Sequence, residues 1–251
     1  MSGMRIYDFE PRPRGRYGPR TFSHAPCVVC IPAKNEARRL PGALSALALA
    51  FRAMGDPRGA LVVALDGCTD DSADIIAQQS RHFPVDIHMV ELEAHPVPHA
   101  GRVRRAALDF GASLFPGEET ILLTTDADTL VDRDWIRATR TLMGETDMVC
   151  GDIWRDDAQG KVIRAPHEHH YHALHRARRR IDPVAYDSAD PHPQGFGASL
   201  ALRRDVYQAI GGCPSVPSDE DTRMVTRARQ TGYRVRQDRG VRVLTSSRRT
   251  G

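Results

Sequence analysis

The chain has 251 residues, 41% of them hydrophobic, with 35 basic and 32 acidic side chains for a formal charge of +3. That length and apolar content build one large α/β domain or two small ones, and they exclude a low-complexity chain. The charge is unevenly placed: Arg5, Arg12, Arg14, Arg16 and Arg20 against Asp8 and Glu10 account for the whole +3 and leave the other 231 residues neutral. A nucleic-acid-binding domain carries a net basic body, so no nucleic-acid partner is expected. No apolar run reaches the ~18–20 residues that span a bilayer. The first residues lack the apolar core of a secretory signal, and five cysteines, an odd number, suit reduced thiols. The expected location is the cytoplasm.

Residues 1–24, rich in Arg, Pro and Gly, read as a mobile arm. Peripheral contact of this arm with an anionic membrane is one use for its charge. The apolar run Cys27–Ile31, stopped by Pro32, reads as a buried strand. The CxxC spacing of Cys27 and Cys30 within it sends the thiols to opposite faces, which argues against a redox pair. Pro41 suits a helix first turn, and Leu40, Leu44, Leu47 and Phe51 follow at helical spacing. Leu61–Leu65 is a second buried strand. Residues 71–80 form a helix capped by Asp70 or Asp71. A strand near 85–91, a helix over 101–114 and the strand Ile121–Thr125 follow. Strands alternating with helices over residues 26–130 predict a mostly parallel sheet with helices on both faces.

The second half is less regular. Met148–Ile153 reads as a strand, residues 167–180 as a helix crowded with His and Arg, and residues 182–194 as a Pro- and Asp-rich loop. Ala198–Leu202 is a strand, residues 204–210 a helix, and residues 219–231 a helix closed by Gly232. Val235 and Val241–Leu244 are late strands.

Ligands of open parallel sheets bind beyond the carboxyl ends of the strands. At those ends stand Pro32-Ala33-Lys34-Asn35-Glu36, Asp66-Gly67-Cys68-Thr69-Asp70-Asp71 and Asp126-Ala127-Asp128. Two carboxylates two residues apart after a buried strand can hold one hard cation, Mg or Mn, which also takes substrate phosphates. Asp is equally at home in turns and caps. Glu220-Asp221 opens a helix, where acids complement the helix dipole, or where one of them can serve as a general base.

In this order the motifs resemble the family-2 glycosyltransferases of the GT-A fold. The matching pieces are Val28-Val29-Cys30-Ile31-Pro32-Ala33-Lys34-Asn35-Glu36, Asp66-Gly67-Cys68-Thr69-Asp70-Asp71-Ser72, Asp126-Ala127-Asp128, Gly197-Ala198-Ser199 with Arg203-Arg204, Gly211-Gly212, Glu220-Asp221 and Thr245-Ser246-Ser247-Arg248. The resemblance implies a Rossmann-like sheet. It also implies a single domain over 25–251, with a nucleotide-sugar-binding half (25–130) and an acceptor and catalytic half (131–251). It further implies hexosyl-type transfer from a nucleoside diphosphate sugar to a hydroxyl acceptor that the motifs do not identify. Pro32, Ala33, Asn35 and Glu36 would border base and ribose, Asp66 would meet the base, and Arg104 would lie near the nucleotide. Asp126 and Asp128 would bind the divalent cation and the diphosphate. Gly197 and Ala198 would line the donor–acceptor junction, with Arg248 also on the substrate. Asp221 would be the base, with Glu220 beside it, in a single inverting displacement. The family pattern has an Asp where this chain has Leu65.

Rival readings fail on particular residues. A HAD-type phosphatase needs Thr or Val where Leu130 stands, and the glycine-rich loop of a nucleotidyltransferase is replaced by Pro32-Ala33-Lys34-Asn35. A non-catalytic nucleotide-sugar-binding module would keep Asp126 and Asp128 without needing Glu220-Asp221. His167, His169, His170, His172 and His175 lack zincin spacing, because Tyr171 stands where the second His belongs. They read as a solvated face, or, with Arg176, Arg178, Arg179 and Arg180, as an acceptor- or phosphate-recognising one. Trp135 reads as core behind the Asp126–Asp128 loop.

Overall fold

β-Branched and apolar residues over Cys27–Ala33 form strand β1, whose side chains alternate between two apolar layers. Cys27, Val29, Ile31 and Ala33 enter one layer, Val28 and Cys30 the other, as in a strand buried on both faces. The computed structural model describes residue 22, residues 24–116, 119–156, 162–163 and 196–246, and the single positions 173, 177, 180 and 186. The histidines at 167–175, the loop at 182–194 apart from position 186, Arg248 and nearly all of the arm lie outside the described residues. Within the span assigned to the arm, Phe22 is buried in the core.

Helix α1 is Leu40–Met54, β2 is Gly59–Asp66, α2 is Ser72–Ser80, β3 is Asp86–Leu92 and α3 is Ala100–Leu114. Then come β4 (Ile121–Thr124), β5 (Leu130–Val131), α4 (Trp135–Leu142), β6 (Met148–Asp156) and β7 (Val162–Ile163). A 3₁₀ turn at Gly197–Ser199 leads into β8 (Leu200–Arg203), α5 (Arg204–Ala209), α6 (Glu220–Gln230) and β9 (Val235–Ser246).

Among the described residues the sheet order is β3-β2-β1-β4-β8-β6-β9-β5, with β7 beside β6. β3, β2, β1 and β4 run parallel, β8 runs against both β4 and β6, and β9 is parallel to β6. β6 therefore points the same way as β4, and the sheet is mixed but mostly parallel. Leu40, Leu44 and Leu47 of α1, Ile76 of α2 and Trp135 and Ile136 of α4 cover one face. Val103, Ala107 and Leu108 of α3, Val206 and Tyr207 of α5, and Met224 and Ala228 of α6 cover the other.

The cysteines follow the strand geometry. Cys27 and Cys30 are free and sit on opposite faces of β1. Burial pushes the Cys27 thiol up to about 12 and the Cys30 thiol up as well, which keeps both protonated and inert.

One open alternative is decided, for Asp70, and two local expectations are corrected. Asp71 occupies the position before α2 without capping it. Asp70 does so instead: its Oδ1 accepts from Ser72 N (3.1 Å) and Ser72 Oγ (2.6 Å), and its Oδ2 accepts from Ala37 N (2.9 Å). The strand expected at Ala198 starts at Leu200, because Gly197 spends its carbonyl and N–H on side chains. The two late strands are one, β9, with a register break: Gly151 pairs with Asp238, but Asp152 pairs with Arg242. A Cβ on Gly151 would run into the Val241 carbonyl and Ser199 Oγ, so the break needs a glycine there.

Candidate functional site

Because β1, β2, β4 and β6 point the same way, their carboxyl ends share one edge of the sheet, and two polar groups assemble along it.

The first lies at the ends of β1 and β2. Asp66 is 2% exposed. Its Oδ2 accepts from Lys34 Nζ at 3.1 Å and its Oδ1 from Arg102 Nη1 at 3.2 Å. Asn35 adopts φ 53°, a left-handed conformation that Asn tolerates, and its Oδ1 accepts from Thr69 N at 2.8 Å. Glu36 N donates to Ser72 Oγ at 3.1 Å. Pro32 comes after β1 has left the β4 ladder at Cys30, so on that side its missing N–H costs no strand pairing. The structure thus gathers Pro32, Ala33, Asn35, Glu36 and Asp66 in one corner. Asn35 and Asp66 are braced there by the protein itself.

The second group centres on Arg104. This arginine lies on the buried face of α3 at 5% exposure, and four of the five N–H groups of its guanidinium bond to the protein. Nε donates to Glu220 Oε1 (2.9 Å), and Nη1 to Thr124 Oγ1 (2.6 Å) and the Gly197 carbonyl (3.3 Å). Nη2 donates to Asp126 Oδ1 (2.8 Å). Burial works against its charge, yet the Asp126 and Glu220 carboxylates hold its pKa above the ordinary value. A Cβ at residue 197 would overlap this guanidinium, so the turn there requires glycine. Arg104 ties the β4 end, the Gly197 turn and the start of α6 together.

Glu220 is 4% exposed and serves as the counter-ion of Arg104. Its neighbour Asp221 turns the other way. Asp221 Oδ2 accepts from Gly197 N at 2.6 Å and Oδ1 from Thr222 N at 2.6 Å, which fixes the plane of the carboxylate. Asp219, just before α6, has φ 62° and makes no side-chain cap bond.

Asp126, Asp128, Gly197, Ala198 and Asp221 line one cleft of about 240 Å³, with Ile153, Arg155, Phe196, Thr245 and Ser246 completing its walls. Thr129 N donates to the Asp126 carbonyl (3.1 Å), closing the turn that carries the two aspartates. Thr245 Oγ1 donates to Asp128 Oδ1 at 3.4 Å. Asp126 Oδ2 has no hydrogen-bond partner among the described residues, and the side chain is 36% exposed. Trp135 is core, as expected, and its Nε1 donates to Ser199 Oγ at 3.0 Å behind the cleft.

Sequence reasoning missed Arg155 and Phe196 as wall residues. The strand direction of β6 could have found Arg155, since it stands at a carboxyl end. Phe196 carries no signal beyond its place before Gly197. No helix among the described residues is long and apolar enough to cross a membrane.

Comparison with known proteins bears on this arrangement. The model of the family described as "Glycosyl transferase family 2" matches residues 28–211. Mannosyltransferase PcManGT from Pyrobaculum calidifontis, in complex with GDP-Man and Mn2+, is similar in structure with a TM-score of 0.65 at 18% identity. That match covers 96% of this chain and 62% of that one. S. aureus TarS 1–349, in complex with UDP-GlcNAc, is similar with a TM-score of 0.65 at 15% identity, over 90% of this chain and 60% of that one. This chain therefore spans about three-fifths of the length of either structure. No curated protein matches its sequence. The structural likeness shows a fold of the GT-A type, and the sequence match runs from β1 through the strand ends that bear the acids to the Gly211 turn. On that evidence the chain belongs to glycosyl transferase family 2.

Proposed function

We propose that the chain transfers a sugar from a nucleoside diphosphate sugar to an acceptor hydroxyl in the cytoplasm, with a divalent cation and inversion at the anomeric carbon. The observation that carries this reading is the shared cleft, with Asp126 and Asp128 on one wall and Asp221 on another. The ligands named for the similar structures, GDP-Man with Mn2+ and UDP-GlcNAc, support the donor class.

The donor set fits Mg or Mn. No group of three or more His, Cys, Asp or Glu gathers among the described residues. These ions commonly take one or two carboxylates and complete their shell with substrate phosphates and water. Asp126 and Asp128 would hold the ion, Asp126 through the oxygen that Arg104 leaves open. A cation bound there would supply Lewis acidity toward the leaving diphosphate.

The protein's own groups divide the remaining work. Asp221, fixed by two backbone N–H groups, keeps lone pairs for the proton of the attacking hydroxyl. Glu220 does not share that task, since it is buried against Arg104. Arg104 positions Asp126 and the first turn of α6. Pro32, Ala33, Asn35, Glu36 and Asp66 form the corner for base and ribose, and Gly197 and Ala198 line the junction of donor and acceptor. One displacement inverts the configuration, so no second carboxylate nucleophile is needed.

The test is release of nucleoside diphosphate from a panel of UDP-, GDP- and dTDP-sugars with Mg or Mn. Release is expected from at least one donor. Asp221→Asn should lower turnover roughly 100- to 10,000-fold while donor affinity holds. Wild-type turnover in Asp221→Asn would remove the base assignment. Donor binding without release, for every acceptor tried, would instead favour a non-catalytic nucleotide-sugar-binding module.

A further inference from the structure

Arg155 stands at the carboxyl end of β6, and among the described residues that line the cleft it is the sole cation. Three carboxylates, Asp126, Asp128 and Asp221, line the same cleft, yet Arg155 forms no ion pair with any of them. Its Nε is buried and has no hydrogen-bond partner among the described residues. Other arginines of the second half behave differently: Arg203, Arg234 and Arg236 each hydrogen-bond an aspartate. A buried donor without an acceptor is unfavourable, and a ligand oxygen would relieve it.

The ladder shows which part of the cleft Arg155 serves. It pairs with Thr245 of β9, and residues paired across a ladder project to the same face. Thr245 in turn donates to Asp128. Arg155 therefore lies on the Asp128 side, where charge builds on a departing diphosphate. Arg104 has four of its five N–H groups engaged by the protein and its charge offset by Asp126 and Glu220, so it leaves most of that task to another group. A guanidinium fork also matches the paired oxygens of a phosphate.

We propose that Arg155 is the cationic contact for the phosphate oxygens of the nucleoside diphosphate. The inference rests on the glycosyltransferase reading above. It assigns a second task to this side chain as well: before the nucleotide arrives, its charge opposes cation binding by Asp126 and Asp128. The cation is thereby favoured together with the diphosphate over the cation alone.

The test uses the full chain and three proteins, wild type, Arg155→Met and Arg155→Lys, each checked for an unchanged thermal midpoint. Calorimetric titration with UDP and with GDP, in the presence of Mn2+, gives the diphosphate affinity. Electron paramagnetic resonance of free Mn2+ gives the affinity for the ion alone. Arg155→Met should weaken binding of the diphosphate that wild type prefers by tenfold or more and tighten Mn2+ alone by severalfold. Arg155→Lys should fall between. A merely structural role would move both constants the same way. That result, or no change in the diphosphate constant, overturns the proposal, as does a rise in acceptor KM with diphosphate affinity intact. A folded wild type that binds neither diphosphate would overturn the glycosyltransferase reading itself, a failure visible before any variant is made.

Discussion

Two buried charge clusters sit at opposite edges of the same sheet and are built from the same residue types. At the amino ends of β6 and β9, Asp147 is 2% exposed and has both oxygens filled. Oδ1 accepts from Arg203 Nη1 (2.8 Å) and Arg234 Nη2 (3.2 Å), and Oδ2 from Arg234 N (2.8 Å) and Nε (3.1 Å). Arg203, 1% exposed, spends its other two nitrogens on Asp205. At the carboxyl edge Arg104 is heavily committed too, but Asp126 keeps one oxygen open and Arg155 has a buried Nε without a partner among the described residues. A buried arginine among acids is thus no mark of a site in itself. The closed cluster locks β8 to its neighbours, while the open one keeps unused bonding capacity facing a cleft.

The contrast can be broken at either end. Asp128→Ala has the largest expected effect on function, reducing turnover to the assay background. Because this residue lies in the open cluster, the thermal midpoint should stay within about 2 °C of wild type. A collapse in stability instead would make the pair of aspartates structural. Asp147→Ala should do the opposite. It leaves Arg203 and Arg234 buried or half-buried without their shared partner, at a cost of about 3–5 kcal/mol, or roughly 6–20 °C in midpoint. Nucleotide affinity of the folded protein should not change, and a parallel loss of affinity would erase the division between the clusters.

The smallest expected effect concerns pH. Burial disfavours the Asp70 charge, but the donors of Ser72 and Ala37 outweigh it and hold the carboxyl below its ordinary value of 3.8. A group depressed in the folded state stabilises above its unfolded pKa, and that contribution fades as pH falls through the folded value. Asp70→Asn should therefore lower the midpoint modestly at pH 7, begin to approach wild type as pH falls below 3.8, and meet it only in acid below the lowered folded value. A difference that persists there would assign the effect to hydrogen-bond geometry instead of charge.

The parallel half was legible because its signals are local. The run Cys27–Ile31, the stripe Leu40, Leu44, Leu47 and Phe51, and aspartates placed straight after buried strands all fall within short windows. The second half depends on pairings that no short window contains. Gln237 and Arg239 take inward-facing positions in β9 and erase its apolar alternation, so one strand reads as two. The Gly197 turn is held by Arg104 and Asp221, 93 and 24 residues away in sequence. Arg155 becomes visible only once β6 is known to run parallel to β4. The bonds of Arg104 are equally non-local: its partners Thr124, Gly197 and Glu220 lie 20, 93 and 116 residues away in sequence.

Residues 239–241 work as a vernier. Upstream of them Val235 must stand opposite Met148 to close the core, and downstream Thr245 must stand opposite Arg155 to finish the cleft wall. The length of the inserted stretch sets the offset between the two. Shortened by one residue, the strand would present Ser246 to Arg155. Lengthened by one, it would present Leu244, exchanging a hydroxyl for an aliphatic side chain. Either change would also take Val243, 1% exposed in the core, away from Ile153, so the same count of residues sets both the cleft wall and the core beneath it.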